Sequence, residues 1–172
     1  GYVPQDNFLF STTVADNIRF SAFEKGQQDV EQAAKESAVH EDIKKFAAGY
    51  DTLVGEKGVS LSGGQKQRLS IARAVINAPE LLILDDALSA VDAKTEEEIL
   101  ANMKQDRAHK TTIIAAHRLS SVMHADEILV LENGQVIERG THEQLITKHG
   151  WYAEMWAKQE MEAAEEGESL GK

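Results

Sequence analysis

Apolar positions along this chain fall into three spacings, and each spacing predicts its own kind of element. From Gln28 to Ala48 they recur at three- and four-residue intervals, at Val30, Ala33, Ala34 and Ala38 and then at Ile43, Phe46 and Ala47. That spacing predicts two helices with His40 in the connection between them. Gln65 to Val75 is a run of good helix formers behind Ser62, a hydroxyl residue placed to cap it. Pro79 ends the pattern, because proline cannot continue a helix and biases its predecessor toward extended backbone. Leu81 to Leu84 is a short unbroken apolar run, which reads as a strand of a parallel sheet buried on both faces, and Thr111 to Ala115 reads as a second buried strand. An amphipathic helix, Ala93 to Gln105, lies between them. Glu127 to Glu132 and Gln135 to Glu138 flank Asn133-Gly134, the strongest short hairpin signal. Thr141 then caps another helix, and a last helix runs through Trp151, Tyr152, Met155 and Trp156, aromatics read as packing or subunit contacts. At the other end Tyr2-Val3-Pro4-Gln5 reads as a short strand, and Phe8, Phe10 and Phe20 as core residues; exposed, they would instead mark a docking surface.

Composition narrows the class. The chain has 172 residues, enough for one domain with a proper core. Its formal charge of −11, concentrated toward the end, argues against a nucleic-acid partner, which would need clustered Lys and Arg. It has no cysteine, so disulfides and thiolate metal sites are excluded, as suits a reducing cytoplasm. No apolar run approaches the ~20 residues needed to span a bilayer, and no signal peptide is visible, so any membrane part is expected elsewhere. The chain opens at Gly1, inside what reads as a motif, and is taken as a fragment. The last dozen residues, with Glu162, Glu165, Glu166 and Glu168, read as a disordered acidic tail.

The candidate chemistry centres on Leu61-Ser62-Gly63-Gly64-Gln65. A helix N-terminus offers unpaired N–H groups and a positive dipole end, and two glycines there let an anion come close. A bare Ser-Gly-Gly would equally suit a capped surface turn. The full string LSGGQ with Lys66-Gln67-Arg68 resembles the signature motif of ATP-binding cassette (ABC) ATPases. Leu81-Leu82-Ile83-Leu84-Asp85 resembles that family's Walker B strand, Ser89-Ala90-Val91-Asp92 its D-loop, His117 its switch histidine and Gln5 its Q-loop glutamine. The resemblance covers all but the acidic tail.

It implies ATP and Mg2+ as ligands. Asp85 and Gln5 would meet the metal, and Asp86, His117 and Gln5 would serve catalysis. Leu61, Ser62, Gly63, Gly64 and Gln65 would face ATP across a dimer, with the D-loop residues Ser89 and Asp92 alongside. The segment after Gln5, and the loop Val54-Gly55-Glu56-Lys57-Gly58, would meet the coupling helices of a membrane domain. The Thr141-His142 pair is usual in exporters. Gln5 and Leu61 stand fifty-six residues apart (61 − 5), room for a small helical subdomain but not for an inserted coiled coil.

Two departures qualify the resemblance. No Gly-x-x-x-x-Gly-Lys-Ser/Thr occurs, so the phosphate-cradling loop is missing and the chain alone is expected to bind ATP poorly. Asp86 stands where most of the family carry glutamate, one methylene longer, so the site built on Asp85 and Asp86 is expected to be slow or inactive. An aspartate there beside an intact LSGGQ resembles one half of the heterodimeric bacterial multidrug exporters.

The expected fold is therefore α/β, a partial P-loop NTPase domain with a parallel-sheet core and a helical signature subdomain. Residues 1–9 form the Q-loop segment, 10–76 the signature subdomain, 77–142 the core with Walker B, D-loop and switch histidine, and 143–172 the terminal helices and tail. The expected function is ATP-driven export of a small lipophilic or drug-like compound, at the cytoplasmic face of the cell membrane, by a pair of cassettes. Two alternatives stay open: a non-catalytic cassette that only donates its signature, and a soluble ABC ATPase working outside transport.

Overall fold

The computed structural model of the chain describes residues 1–55 and 58–170, with side chains as far as Glu165. Glu56 and Lys57 of the predicted loop, and the last two residues of the predicted tail, lie outside the described residues. The chain divides into two compact units, residues 1–117 and 118–172, a division that falls within the 77–142 segment.

The first unit is built around a three-stranded parallel sheet in the order β1-β2-β3: β1 (Tyr2–Val3), β2 (Leu81–Asp85) and β3 (Thr111–Ala115). Between β1 and β2 come α1 (Val14–Ile18), α2 (Gln27–Glu36), α3 (His40–Lys44) and α4 (Gly63–Val75), with α5 (Ala93–Asp106) crossing from β2 to β3. One apolar cluster runs through all of it: Val14 and Ile18 of α1, Val30 and Ala34 of α2, Ile43 of α3, Leu69 and Ile71 of α4, Leu82 and Leu84 of β2, and Ile99 of α5.

The helix α4 is the hub of this unit, and its polar residues explain why. Arg68 pairs with Asp42 at 2.7 Å and donates to the Ala38 carbonyl, fixing the α2–α3 junction. Arg73 donates to the carbonyls of Asn17 and Phe8 and to the fully buried Asn17 side chain, at 2.8 to 2.9 Å. Burial lowers the Arg73 pKa, yet its three acceptors keep the guanidinium supplied with partners.

Three expectations need correction here. The β2 and β3 runs are not buried on both faces: Leu82 and Leu84 are in the core, while Leu81 and Ile113 are 43% and 50% exposed. An unbroken apolar run carries no period that distinguishes a covered face from an open one. His40 is not in a connection; it opens α3, half-buried, with Nδ1 2.7 Å from the Tyr50 hydroxyl. The phenylalanines are not core. Phe8 is 66% and Phe23 71% exposed, Phe20 is exposed too, and the four rings of Phe8, Phe10, Phe20 and Phe23 form a contiguous row. Phe10 stacks on Phe20 at 4.0 Å between centroids, with the Arg73 guanidinium 5.4 Å from the Phe10 ring centre. Ring-on-ring contact gives each phenylalanine partial cover without a core around it.

In the second unit the hairpin forms as the sequence predicts. β4 (Ile128–Glu132) pairs antiparallel with β5 (Gln135–Gly140), and Asn133 and Gly134 both adopt positive φ (49° and 77°), as a type I′ turn requires. α6 (His142–Lys148) starts from a capping box of Thr141 and Gln144, and α7 (Trp151–Leu170) follows. Ile128, Val130, Leu145 and the fully buried Tyr152 make a small core of their own, with the Tyr152 hydroxyl 2.9 Å from His142 Nδ1. The expected tail disorder is corrected as far as residue 170, which α7 includes. The stretch is dominated by Glu, and Glu, Ala, Met and Gln are all strong helix formers, so a composition too charged to bury a core does not prevent a helix.

Candidate functional site

Two groups of candidate side chains lie at the surface of the first unit. The first lies at the carboxyl ends of the parallel strands, where α/β sheets gather their ligands. Asp85 is the last residue of β2 and pairs with Ala115 of β3, so His117 stands two residues beyond, at the end of the neighbouring strand. β1 brings Tyr2 to the same edge, and its hydroxyl donates to Asp85 Oδ2 at 3.1 Å. That hydrogen bond, with the adjacent negative charge, raises the Tyr2 pKa and keeps the proton on the phenol. Gln5, just past β1, places Nε2 3.5 Å from Asp86 Oδ2, leaving its amide oxygen to face elsewhere. Gln5, Asp85 and Asp86 are thus brought together, and Tyr2 joins them unforeseen. Nothing in sequence spacing signals Tyr2, because it reaches Asp85 only through a strand pairing across 83 positions.

Asp86 has a left-handed backbone (φ 49°), a conformation that Asp tolerates better than most side chains. Its N–H donates to the Ala115 carbonyl at 2.8 Å, continuing the sheet ladder one residue past the strand. The chain then turns back through Ser89 and Ala90 to Asp92, which caps α5 by accepting from the Thr95 N–H and hydroxyl. Those bonds hold the Asp92 carboxyl below the usual carboxylate range.

The second group is the N-terminus of α4. Leu61 is buried and anchors the approach, while Ser62 and Gly63 are exposed. Ser62 Oγ accepts from Gln65 N–H at 3.1 Å, and Gln65 Oε1 accepts from Ser62 N–H at 3.0 Å, a reciprocal capping box. As an acceptor in that bond, the Ser62 hydroxyl keeps its own proton to donate outward. Gly64 has a reason the sequence does not reveal: a Cβ there would sit 2.8 Å from the Ala90 carbonyl oxygen, so the turn after β2 presses directly on this helix start.

Asp85 and Gln5 offer a carboxylate and an amide oxygen, the donor types magnesium takes, while among the described residues no group of three or more His, Asp or Glu is gathered to hold a metal by itself. Magnesium keeps several waters and takes one or two carboxylates with substrate phosphates. An exposed capped helix start with bare glycines fits a phosphate.

These two groups lie in a chain whose residues 1–89 match the family described as ABC transporter. The chain belongs to that family. Domains of this family bind ATP. Its similarity extends beyond the matched span. The chain is 53% identical, over 97% of its length, to the probable multidrug resistance ABC transporter ATP-binding/permease protein YheI of Bacillus subtilis. It is 52% identical over 94% to the multidrug resistance-like ATP-binding protein MdlA of Escherichia coli. It spans 28% of each of those relatives. Among solved structures, a bacterial Atm1-family ABC exporter with ATP bound superposes with a TM-score of 0.88 at 46% identity, covering 92% of this chain and 28% of that one. Among the described residues, no helix is long and apolar enough to cross a membrane.

Proposed function

We propose that this chain is part of the ATP-hydrolysing domain of an ABC exporter, and that it serves as the degenerate half of a pair of unlike cassettes. The observation that carries this reading is the contrast between its two groups. The helix start at Ser62–Gln65 is capped, exposed and complete, whereas the strand-edge group carries Asp86 in place of a longer carboxylate.

In the paired arrangement each ATP is held between one cassette's strand edge and the other's signature helix. Here Ser62 and the N–H groups of Gly63 and Gly64 bind the γ-phosphate of the ATP held by the partner. At the chain's own edge, Asp85 and the Gln5 amide oxygen would hold the metal, which when bound neutralises charge building on the phosphate oxygens. Tyr2 keeps one Asp85 oxygen occupied by a hydrogen bond, which orients the other. Asp86 accepts the proton of the attacking water, and His117 donates toward the γ-phosphate from the next strand end. Because the aspartate is short by about 1.5 Å, that proton transfer is poorly aligned and the site turns over slowly.

The exposed phenylalanine row, with Phe8 and Phe20 following the Gln5 segment, suits an apolar coupling helix of the membrane domain, and the uncovered face of β2 and β3 suits further parts of a complete cassette. The transported compound in this reading is small and lipophilic or drug-like, and the cassette works at the cytoplasmic face of the cell membrane; the multidrug resistance names of two relatives at about half identity support the first part.

The test is ATP hydrolysis by this chain alone, by a complete cassette with an intact catalytic glutamate, and by their mixture. The expected result is hydrolysis in the mixture well above the sum of the separate rates, with none from this chain alone. Rates that merely add would remove the proposed pairing.

A further inference from the structure

A buried glutamine on α4 belongs to neither group, yet it joins the helix of one to the turn that leaves the other. Gln67 is 4% exposed and lies one turn inside the signature helix. Its Oε1 accepts from the Ala90 N–H at 2.8 Å. Its Nε2 donates to Ser89 Oγ at 3.0 Å and, at 3.4 Å, to the Asp86 carbonyl. Ser89 Oγ donates to that same carbonyl at 3.0 Å, which closes a small network around the turn. The residues it joins are 19 to 23 positions away, on the far side of a loop and a strand.

A leucine or methionine would fill this volume, so what the amide adds is its donors and acceptor. They satisfy backbone groups of the 86–90 turn that have no strand or helix to pair with. They also clamp that turn onto the helix whose first residues are exposed for phosphate. The close approach of Gly64 to the Ala90 carbonyl is the second point of the same clamp.

We propose that Gln67 is a positioning residue that fixes the backbone of Asp86 to Ala90 against the Ser62–Gln65 helix start, so that the turn leaving this chain's strand edge keeps its place beside the phosphate site the chain offers to its partner. The inference rests on the nucleotide roles proposed above for those two groups. Gln67 acts through the backbone of both and touches no substrate. Losing the clamp lets each group drift, which weakens the aligned, closed state in which turnover occurs more than it weakens ATP binding.

The experiment uses the complete transporter, with Gln67→Met and Gln67→Glu compared with the unaltered protein. Glutamate keeps the acceptor for Ala90 N–H but loses the donors to Ser89 and Asp86. The expected result for Gln67→Met is a fall in kcat of roughly tenfold or more with KM for ATP changed less than about twofold, a split that marks loss of alignment. Gln67→Glu is expected to fall in between. A merely structural role predicts lower stability but unchanged kcat per folded molecule in both variants, and that result overturns the proposal. Ser62→Arg, measured alongside, separates the two ideas. If it inactivates while both Gln67 variants keep full kcat, the positioning role alone fails. If Ser62→Arg is also silent, the nucleotide reading fails with it.

Discussion

Replacing Ser62 with arginine in the complete transporter is expected to lower turnover at the partner's site by about 10²–10³-fold, the range seen when a preorganised donor is removed from a transition-state site. Two effects act together. Arginine fills the space in front of Gly63 and Gly64, and it removes both the outward hydroxyl and the capping acceptor for Gln65 N–H. Loss of the cap costs about 1 kcal/mol of stability, too little to account for such a fall. Ser62→Asp separates the two, because aspartate caps as well as serine but sets a negative charge against the phosphate. It is expected to be as inactive as Ser62→Arg while melting at the same temperature as the unaltered protein. Turnover and thermal unfolding measured on the same preparations check this, and unchanged turnover in both variants would mean that the start of α4 does not face nucleotide.

Asp86→Glu is expected to act in the opposite direction. With the partner's own catalytic glutamate disabled, so that only this site can contribute, ATP hydrolysis should rise by roughly 10–10²-fold, part of the contribution of a well-placed general base. The extra methylene returns the carboxylate to the attacking water. The backbone limits the gain: Asp86 has φ of 49°, and a longer side chain in that region costs about 1 kcal/mol more than aspartate does. The ladder bond to Ala115 holds the residue there regardless, so the substitution should fold. No increase in steady-state hydrolysis would show that the short carboxylate is not what limits this site.

Features whose cause is local were readable before any coordinates. Ser62 caps α4 because Gln65 is three residues away, and the hairpin forms because Asn133 and Gly134 both accept positive φ. The parallel strands follow from their apolar runs. Contacts made across long separations were not readable. The runs in β2 and β3 name a strand but not its covered face, so Leu81 and Ile113 were misjudged. The phenylalanines look like core in a one-dimensional pattern, and only the path of the chain around Arg73 turns Phe8 and Phe20 outward. Of the candidate site residues, Asp85, Asp86 and Gln5 are named by their motifs, and the structure sets Gln5 beside Asp86. Tyr2 and Gln67 stand inside motif strings, but their contacts are not legible there, because they meet their partners only once the strands and α4 are assembled.

A cross-link reports whether the start of α4 faces a phosphate held by a second cassette. These 172 residues contain no cysteine, so Ser62→Cys introduces the one thiol of this segment, and any cysteine elsewhere in the complete transporter is replaced by serine. A second cysteine is placed in the phosphate-binding loop of the partner cassette. A disulfide requires the two Cα atoms to come within about 7 Å. The expected result is a cross-link that forms between the two chains under mild oxidation when ATP and magnesium are present and does not form without nucleotide. If that cross-link never forms with ATP, while one between Ser62→Cys and a different surface of the partner does, the start of α4 does not face the partner's phosphate.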